Sequence, residues 1–390
     1  MELSYMVWYI PTRIVFGKGV AAQIGEYVRE FGNTCFLVID PALDNKGLGE
    51  EIASLLKEKG IGVVKYSDIP PNPPCSCVDR ASEIARQEGC NVVVGVGGGS
   101  TIDVAKGVAV VAKNAGECWD YVKRRETGQR TIVDTLPIIA VPSTAGTGSE
   151  VTPYAVFTNP LVREKGTIVS DKIFPKVALV DPTLTVSMPP RLTASTGVDA
   201  FAHAIESYIN VKSNYYSELI ALEAMKLIFW ALPVAFSNGI DESARSKMLW
   251  ASTLAGIAIA NVGPCLPHAL GQAVGGLTGA AHGETVAACL PEVLAFTFIA
   301  IIEKLGRVAE TIEPSFRSLP LWTRAERALE LVRNLLRCIG LELRFRDLGL
   351  KESDIEGVAN AALKAYFWDI EAHPRRVGKD DILKICKDCY

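Results

Sequence analysis

The chain has 390 residues, of which 49% are hydrophobic and 22% are charged, and its formal net charge is -4 at pH 7. This is the composition of an ordinary globular protein, and the length allows two domains of typical size. Lys and Arg are slightly outnumbered by Asp and Glu and form no long run, which argues against nucleic acid or an anionic membrane as a partner. We expect a small-molecule ligand.

The N-terminus and the cysteines bear on the location of the protein. The first residues, MELSYMVWYIPTRIVFG, contain an apolar run that is too short for a signal peptide or a membrane span. The ten cysteines are scattered, so their spacing predicts no disulfide framework. We expect a cytoplasmic protein whose thiols are buried or inert, including Cys386 and Cys389, for which a metal or redox role is the lesser alternative.

In the N-terminal half, short apolar runs alternate with amphipathic helical stretches. Residues 35–40 and 61–68 are predicted strands, and residues 47–60 and 77–89 are predicted helices. Residues 91–111 are predicted to form a strand, a glycine turn and a helix. Strict alternation of strands and helices is typical of a parallel sheet with helices on both faces, so we predict an α/β fold.

The character of the sequence changes near Pro182. Long helical patterns follow at residues 217–236, 292–312 and 324–340, with few strand-like runs between them. We therefore predict an all-α C-terminal domain, with one domain at 1–182 and the other at 183–390. Because no repeat or long polar linker separates the halves, we expect them to pack together and a ligand to bind in the cleft between them.

The glycine turn of the third predicted strand is suited to binding an anion. Gly97, Gly98 and Gly99 follow the strand and precede a helix whose first turn contains Ser100 and Asp103. Free N–H groups and the positive end of the helix dipole favour a pyrophosphate there. The spacing fits neither a Walker A loop nor a G-x-G-x-x-G fingerprint. The alternative is a structural turn in which Ser100 and Asp103 form a capping box and bind nothing.

A second loop, at residues 137–156, again joins a strand to a segment rich in glycine and hydroxyl groups, including Ser143, Thr144, Thr147 and Thr152. Such small donors suit contacts with phosphate or ribose oxygens. Asp40 ends the first predicted strand, where it could accept hydrogen bonds from a ribose and repel a 2'-phosphate, favouring NAD over NADP. Alternatively, Asp40 only begins a turn before Pro41.

Four side chains of the helical half form a candidate metal site. Asp199 and His203 lie one helical turn apart, and His268 and His282 also lie in stretches of small residues. One carboxylate and three imidazoles would hold a divalent first-row ion and leave a position for water or substrate. The fourth histidine, His373, lies in the polar sequence AHPRR and is expected to be an ordinary hydrogen-bonded residue.

Two glutamates lie near these histidines in the sequence, Glu206 and Glu284. They could orient the imidazoles from behind, as carboxylates often do at metal sites. Exposed helix charges are the simpler interpretation, and we take it as the expectation.

Together these motifs resemble the iron-containing, group III, alcohol dehydrogenases. The resemblance runs from YIPTRIVFGKGVAAQIG through GVGGGSTIDVAKG, PSTAGTGSEVTPYAVF and VDAFAHAIESY to HPRRVGKDDILKI. It implies a dinucleotide-binding α/β domain and a helical metal-binding domain. The metal ligands it implies are Asp199, His203, His268 and His282. The cofactor contacts it implies are Asp40, Asn72, Gly98, Gly99, Ser100, Asp103, Ser143, Thr144, Thr147, Thr152 and Lys165.

The resemblance also implies the chemistry. We expect an oxidoreductase that interconverts an alcohol and an aldehyde or ketone by hydride transfer, with iron(II) as Lewis acid and NAD as hydride carrier. Zinc could replace iron, since it binds such ligands at least as tightly, and NADP is the less favoured cofactor. Whether subunits pair stays open, with a homodimer as one alternative.

One position departs from the family pattern. Many members have a second histidine four residues after the third ligand, whereas this chain has Gln272 there, near the expected substrate site. An amide cannot take up a proton at neutral pH, so a proton relay would need water, a ribose hydroxyl or another group.

The alternative function is a lyase or cyclase similar to dehydroquinate synthase, which also uses NAD and a metal; a non-catalytic nucleotide-binding protein is a third option.

Overall fold

The computed structural model describes residues 6–124, 128–162 and 164–390, which form two compact units. Among the described residues, the α/β unit comprises those of 10–144 and 148–186, and the helical unit comprises 187–390 with 6–9 and 145–147. The chain passes from one unit to the other a few residues beyond the predicted boundary at 182. A single-turn helix at Pro182–Thr185 follows Asp181, whose carboxylate accepts hydrogen bonds from the N–H groups of Ala21 and Thr183 and so keeps this turn in the α/β unit.

The α/β unit is built around a parallel sheet. Its strands are β1 (Arg13–Phe16), β2 (Thr34–Ile39), β3 (Gly62–Tyr66), β4 (Val92–Gly97), β5 (Ile138–Pro142), β6 (Tyr154–Asn159), β7 (Glu164–Val169) and β8 (Val177–Val180). Its helices are α1 (Ile24–Arg29), α2 (Pro41–Asp44), α3 (Leu48–Glu58), α4 (Cys75–Gln87) and α5 (Gly99–Val111). Six strands pair in the order β1-β8-β5-β4-β2-β3, all parallel. The predicted α/β class is confirmed.

One part of this unit departs from the predicted alternation. Strands β6 and β7 form an antiparallel pair outside the main sheet, with Thr158 opposite Lys165. The residues of β6 alternate between half-buried and fully buried positions, the pattern of a strand with one covered face. The sequence prediction missed this strand, because it assigned the first residues of β6 to the loop at 137–156.

The central layer of the unit is packed closely around β4 and α5. Every residue of β4 is buried, and α5 is buried on nearly all sides. Gly107 of α5 makes this possible, because a Cβ atom there would lie 2.8 Å from Cζ of Phe157 and 2.9 Å from Cγ1 of Val78. The glycine therefore lets α5 approach both β6 and α4.

The helical unit contains no strand among residues 187–390, which confirms the predicted all-α class. Its helices are α6 (Pro190–Ile209), α7 (Tyr215–Ser237), α8 (Glu242–Val262), α9 (Leu266–Thr278), α10 (His282–Thr297), α11 (Ile302–Ile312), α12 (Leu321–Cys338), α13 (Ile355–Ala365), α14 (Phe367–Glu371) and α15 (Lys379–Asp388). Helix α6 is buried along most of its length and packs against α7, α8 and α10. The predicted helical stretch at 292–312 is interrupted by a 3-10 turn at Phe298–Ile301.

By length and composition alone, two segments could cross a membrane, Tyr215–Ser237 and His282–Ile312. The bent pair α8 and α9, which meet at 101°, would make a third. In the most apolar windows of the first two segments, 39% and 56% of the residues are buried inside the protein. Burial accounts for part of this hydropathy, since α10 packs against α6, α9 and α12.

The packing at Gly107 predicts the effect of a single methyl group. Gly107→Ala should lower the free energy of unfolding by about 1–3 kcal/mol, because the added atom has no room beside Phe157 and Val78. The matched control is Gly276→Ala in α9, where a Cβ atom would meet nothing within 4 Å. That variant should gain roughly 0.5–1 kcal/mol from the lower backbone entropy of alanine. Urea unfolding measures both, and equal effects would contradict this account of the packing.

Candidate functional site

The helical unit brings the predicted metal ligands together from three helices. Helix α6 carries Asp199 and His203 one turn apart, α9 carries His268 in its first turn, and α10 begins at His282. Oδ1 of Asp199 lies 3.5 Å from Nε2 of His268 and 3.5 Å from Nε2 of His282. The ligand atoms of these three residues all lie within 4.8 Å of one another.

His203 lies beside this group of three. Its Nε2 is 3.8 Å from Oδ1 of Asp199, and its ring stacks on that of His268 with centroids 4.6 Å apart. The group with mutually close ligand atoms does not include it. His203 as the fourth ligand therefore stays a prediction, although it lies within reach of the same carboxylate.

The donor set fits a divalent cation. Oδ1 of Asp199 and Nε2 of His268 are buried and have no hydrogen-bond partner in the described chain. Leaving a buried polar atom unsatisfied costs about 1–3 kcal/mol, so a cation between these lone pairs would remove a penalty. Ligands placed about 2.1 Å from a tetrahedral ion lie roughly 3.4 Å apart, close to the observed separations.

The charges of the site favour the ligand forms of Asp199 and His203 and, in the absence of a metal ion, the protonated form of His268. Burial disfavours the charged form of Asp199, but the neighbouring imidazoles outweigh it and hold the pKa of this carboxyl below its usual range. Burial lowers the pKa of His203, which favours the neutral ring that can bind a metal. Burial also opposes protonation of His268, but the carboxylates of Glu206 and Asp199 raise its pKa to about 10. A metal ion held by Asp199 and Nε2 of His268 would replace this proton.

The two nearby glutamates are not exposed helix charges, so that expectation is wrong. The side chain of Glu206 is fully buried, with Oε1 2.6 Å from Nδ1 of His268. Glu284 is 7% exposed and pairs with Arg191, whose Nε and Nη2 donate to its two oxygens at 2.6 and 3.0 Å. Both lie on the inner faces of packed helices, a position that only the helix arrangement decides.

A glycine beside His282 sets the approach of α10 to α6. A Cβ atom at Gly283 would lie 2.0 Å from the carbonyl oxygen of Ser195, a backbone atom that cannot turn away. The close approach positions the first residue of α10, which is His282. Sequence analysis missed this residue, although a glycine directly after a candidate ligand was the available signal.

In the α/β unit, several of the predicted cofactor residues lie at the carboxyl ends of three neighbouring strands. Asp40 follows β2, Gly98 follows β4, and Ser143 follows β5. These strands are adjacent in the sheet, and the strand order reverses between β2 and β4. Open α/β sheets bind ligands at such a switch point, next to the carboxyl ends of the strands.

The start of α5 is available to an anion. Gly98 is the N-cap residue and has no side chain to accept hydrogen bonds from the first turn. The capping box that the structural alternative predicts between Ser100 and Asp103 is not formed. Instead, Asp103 accepts a hydrogen bond from Oγ of Ser149 at 2.8 Å and another from the N–H of Val156 at 2.9 Å.

The glycine turn also lies against its neighbours. A Cβ atom at Gly97 would lie 2.6 Å from Oγ1 of Thr101 and 2.9 Å from Cβ of Asp40. At Gly98 it would lie 3.2 Å from Cγ2 of Thr144, in the second predicted loop. The turn therefore brings Asp40 and Thr144 close to the start of α5, as the glycines predict.

A buried lysine that sequence analysis missed supports the second loop. Nζ of Lys106 donates to Oγ of Ser149 at 2.8 Å, to the carbonyl and hydroxyl oxygens of Thr152 at 2.9 and 3.3 Å, and to the carbonyl oxygen of Tyr154 at 2.7 Å. Burial lowers the pKa of Lys106 to about 8. The Thr152 hydroxyl thus has a structural partner besides its predicted cofactor role. The available signal was a lysine three residues after Asp103 in an otherwise apolar helix.

Asp40 begins a helical turn, as its structural alternative predicts, and its contact with a ribose stays a prediction. Oδ1 accepts hydrogen bonds from the N–H groups of Ala42 at 2.9 Å and Leu43 at 3.3 Å, so it caps α2. Nζ of Lys165 donates to Oδ1 of Asn72 at 2.8 Å, which joins two predicted cofactor residues from distant parts of the sequence. Thr147 is grouped with the helical unit.

Gln272 lies one turn after His268 on α9, and its Oε1 is buried without a hydrogen-bond partner among the described residues.

The fourth histidine and the last two cysteines are buried, as expected from the sequence. His373 is buried, with Nε2 2.7 Å from Oγ1 of Thr297, and burial lowers its pKa to about 4, so it is a neutral core residue. Cys386 and Cys389 are buried free thiols whose pKa values are raised by burial.

Comparison with known proteins extends over both units. Residues 11–182 match the family model of iron-containing alcohol dehydrogenase, and residues 193–390 match that of the Fe-containing alcohol dehydrogenase family, C-terminal. The chain is 35% identical over 384 residues to the NAD-dependent methanol dehydrogenase of Bacillus methanolicus, covering 98% of this chain and 99% of that protein. It is 35% identical over 394 residues to the 1,3-propanediol dehydrogenase of Citrobacter freundii, covering all of both.

Solved structures agree with these matches. An archaeal halo-thermophilic alcohol dehydrogenase from a Red Sea brine pool superimposes with a TM-score of 0.94 and 32% sequence identity, over 100% of both chains. The similarity therefore covers the helices that carry the carboxylate and imidazole cluster as well as the parallel sheet.

The close approach at Gly283 predicts a specific loss of metal binding. Gly283→Ala should displace the start of α10 and lower the affinity for Zn²⁺ by about 10-fold or more, because His282 would no longer face Asp199. Competition with a colorimetric chelator measures the affinity. The control is Gly276→Ala on α9, which should bind Zn²⁺ as the unmodified protein does. Unchanged affinity in a folded Gly283→Ala protein would contradict the role given to this contact.

Proposed function

Because the chain belongs to the iron-containing alcohol dehydrogenase family, we propose that it is a metal-dependent, NAD-linked oxidoreductase that interconverts an alcohol and the corresponding aldehyde or ketone. The observation that carries the proposal is that the ligand atoms of Asp199, His268 and His282 lie within 4.8 Å of one another. Within this group, Oδ1 of Asp199 and Nε2 of His268 are buried and have no hydrogen-bond partner among the described residues. When bound, a divalent ion supplies Lewis acidity towards the reacting oxygen and a nicotinamide carries the hydride.

Asp199, His268 and His282 would hold the ion, with His203 as the proposed fourth ligand. Iron(II) is the ion named by the family, and zinc is the alternative because nitrogen and oxygen ligands bind it at least as tightly. Three ligands come from the starts or the interior of packed helices, so their backbone positions are fixed before substrate arrives. Such preorganisation keeps the reacting groups in place without a reorganisation cost.

The α/β unit would bind the cofactor. The uncapped start of α5 offers N–H groups to a pyrophosphate, and Ser143 and Thr144 add donors from the end of β5. Oδ2 of Asp40 makes no hydrogen bond within the described residues and would accept from a ribose hydroxyl. A carboxylate there would repel the 2'-phosphate of NADP, which supports NAD, the cofactor named for the relative from Bacillus methanolicus.

Gln272 is proposed to lie at the substrate side of α9. Its amide oxygen has no hydrogen-bond partner among the described residues and can accept a hydrogen bond from a substrate hydroxyl, but the amide cannot take up a proton at neutral pH. Gln272 would therefore orient the substrate, and the alcohol proton would leave through water or a ribose hydroxyl.

The alternative lyase, similar to dehydroquinate synthase, is not favoured. Both family models and the relatives described above are alcohol dehydrogenases. The reactions also differ in outcome, because the lyase returns its hydride within one turnover and a dehydrogenase produces NADH. The absorbance of NADH after mixing enzyme, NAD and an alcohol separates the two.

We also propose a cytoplasmic location and a homodimer. All ten cysteines are free thiols, as expected in a reducing compartment. Light scattering coupled to size exclusion tests the subunit number.

Metal removal tests the proposed function directly. A chelator should lower turnover by about 100-fold or more, because no other group in the cluster can polarise the substrate oxygen, whereas NADH binding should stay within about threefold. Addition of Fe²⁺ or Zn²⁺ should restore turnover, and a panel of primary alcohols, diols and hydroxy acids identifies the substrate class. Full activity in a sample shown to be metal-free would refute the proposal.

The departure at Gln272 predicts a change in pH dependence. Gln272→His should add a bend near pH 6.5 to the profile of kcat/KM, because imidazole titrates at about that pH in the absence of other effects. The control is Gln272→Met, which keeps the length of the side chain but cannot hydrogen-bond or titrate. It should lower kcat/KM without adding a bend. Profiles of identical shape for all three proteins would contradict a place for residue 272 at the substrate.

A further inference from the structure

The buried carboxylate of Glu206 contacts the imidazole of His268, one of the proposed metal ligands. Glu206 lies on α6 seven residues after Asp199, a spacing of about two turns that puts both on the same face of the helix. Its side chain is 0% exposed. Within the described part of the chain, no Lys or Arg pairs with it, and its partners are backbone N–H groups and an imidazole.

Both oxygens of this carboxylate are occupied by the first turn of α9. Oε1 lies 2.6 Å from Nδ1 of His268. Oε2 accepts a hydrogen bond from the N–H of Cys265 at 2.6 Å and a longer one from the N–H of His268 at 3.4 Å. Cys265 is the N-cap residue of α9 and makes no side-chain cap of its own, so Glu206 takes the place of the cap.

The chemistry of a carboxylate decides which ring nitrogen of a neutral His268 carries the proton. An ionised carboxylate only accepts hydrogen bonds, so the proton must be on Nδ1. Nε2 then keeps its lone pair, and Nε2 is the atom that faces Oδ1 of Asp199 at 3.5 Å without a hydrogen-bond partner. The contact with Glu206 therefore presents the ligand atom to the cation site.

We propose that Glu206 is a positioning residue, which fixes His268 in the Nδ1–H tautomer and holds the start of α9 by accepting the N–H of Cys265. The inference rests on the metal-dependent function proposed above. A buried carboxylate of this kind raises metal affinity through the ligand it orients, and its loss costs about 10–100-fold in affinity.

The isosteric amide separates this role from simple capping. In Glu206→Gln one oxygen still accepts, but the other becomes an NH₂ group that only donates. The backbone N–H of Cys265 requires the oxygen, so the NH₂ group faces Nδ1 of His268. Nδ1 must then accept, the ring proton moves to Nε2, and the ligand lone pair is lost. Size and packing are nearly unchanged.

Two further variants are matched to E206Q. E206D keeps a group that only accepts hydrogen bonds but shortens the side chain by one methylene. Asp181→Asn changes another buried carboxylate that accepts backbone N–H groups, from Ala21 and Thr183, with no imidazole among its partners. It reports what the loss of such a carboxylate does to stability alone.

The test uses the full-length protein and two metal probes. Zn²⁺ affinity is measured by chelator competition, the visible spectrum of the Co²⁺-loaded protein reports the ligand set, and urea unfolding of the metal-free proteins checks folding. We expect E206Q to bind Zn²⁺ about 10–100-fold more weakly and to change the Co²⁺ spectrum. E206D should lose less affinity and keep the spectrum of the unmodified protein, and Asp181→Asn should lose stability only.

The outcomes distinguish the two proposals. If the unmodified protein binds neither metal, the proposed function fails. If it binds them and E206Q does so within twofold and with the same Co²⁺ spectrum, Glu206 is only a cap and the inference is overturned. Should E206Q not fold, E206D decides: a Co²⁺ spectrum lacking one imidazole, despite the retained carboxylate, would overturn the tautomer argument.

Discussion

The helical unit depends on one electrostatic constraint, which is that the buried carboxylate of Asp199 lies against the nitrogens of two imidazoles, His268 and His282. Oδ1 of Asp199 faces two imidazole nitrogens at 3.5 Å, and such an arrangement is stable only if a proton or a cation lies among the lone pairs. Several features position the side chains of this cluster: the small residues of α6, the close approach of α10 to α6 at Gly283, and the starts of α9 and α10. The price in stability is recovered when the cation binds.

The α/β unit presents hydrogen-bond donors, whereas the cluster of the helical unit presents acceptors. N–H and hydroxyl donors lie at the carboxyl ends of β4 and β5, and α5 begins there without a side-chain cap. Asp103 does not neutralise this helix start, because it is turned to Ser149 and Val156. Lys106, one turn further, anchors the same loop. The half-buried Asp103 and the buried Lys106 thus hold the loop and leave the start of α5 without a side-chain cap.

Buried charged residues with structural partners recur around both sites. Glu206, Glu284 and Lys106 each place a charged group in the interior, where an unpaired charge would be costly. Each is used to position another group: an imidazole and a helix start, the start of α10, or the loop after β5. From sequence alone, a glutamate or lysine on a helix is expected at the surface, so these supporting residues were missed or misassigned.

The sequence by itself determined the fold class, the order of most strands and helices and the glycine turn, and it predicted the candidate ligands, three of which the structure brings together. These features depend on local periodicity and on residue types that few other roles explain, such as histidines among alanines and glycines. Only the tertiary structure decided the antiparallel pair of β6 and β7, the helix break at Phe298–Ile301, and the burial of Glu206. Each of these depends on which face of an element meets a neighbour, and that contact joins residues far apart along the chain.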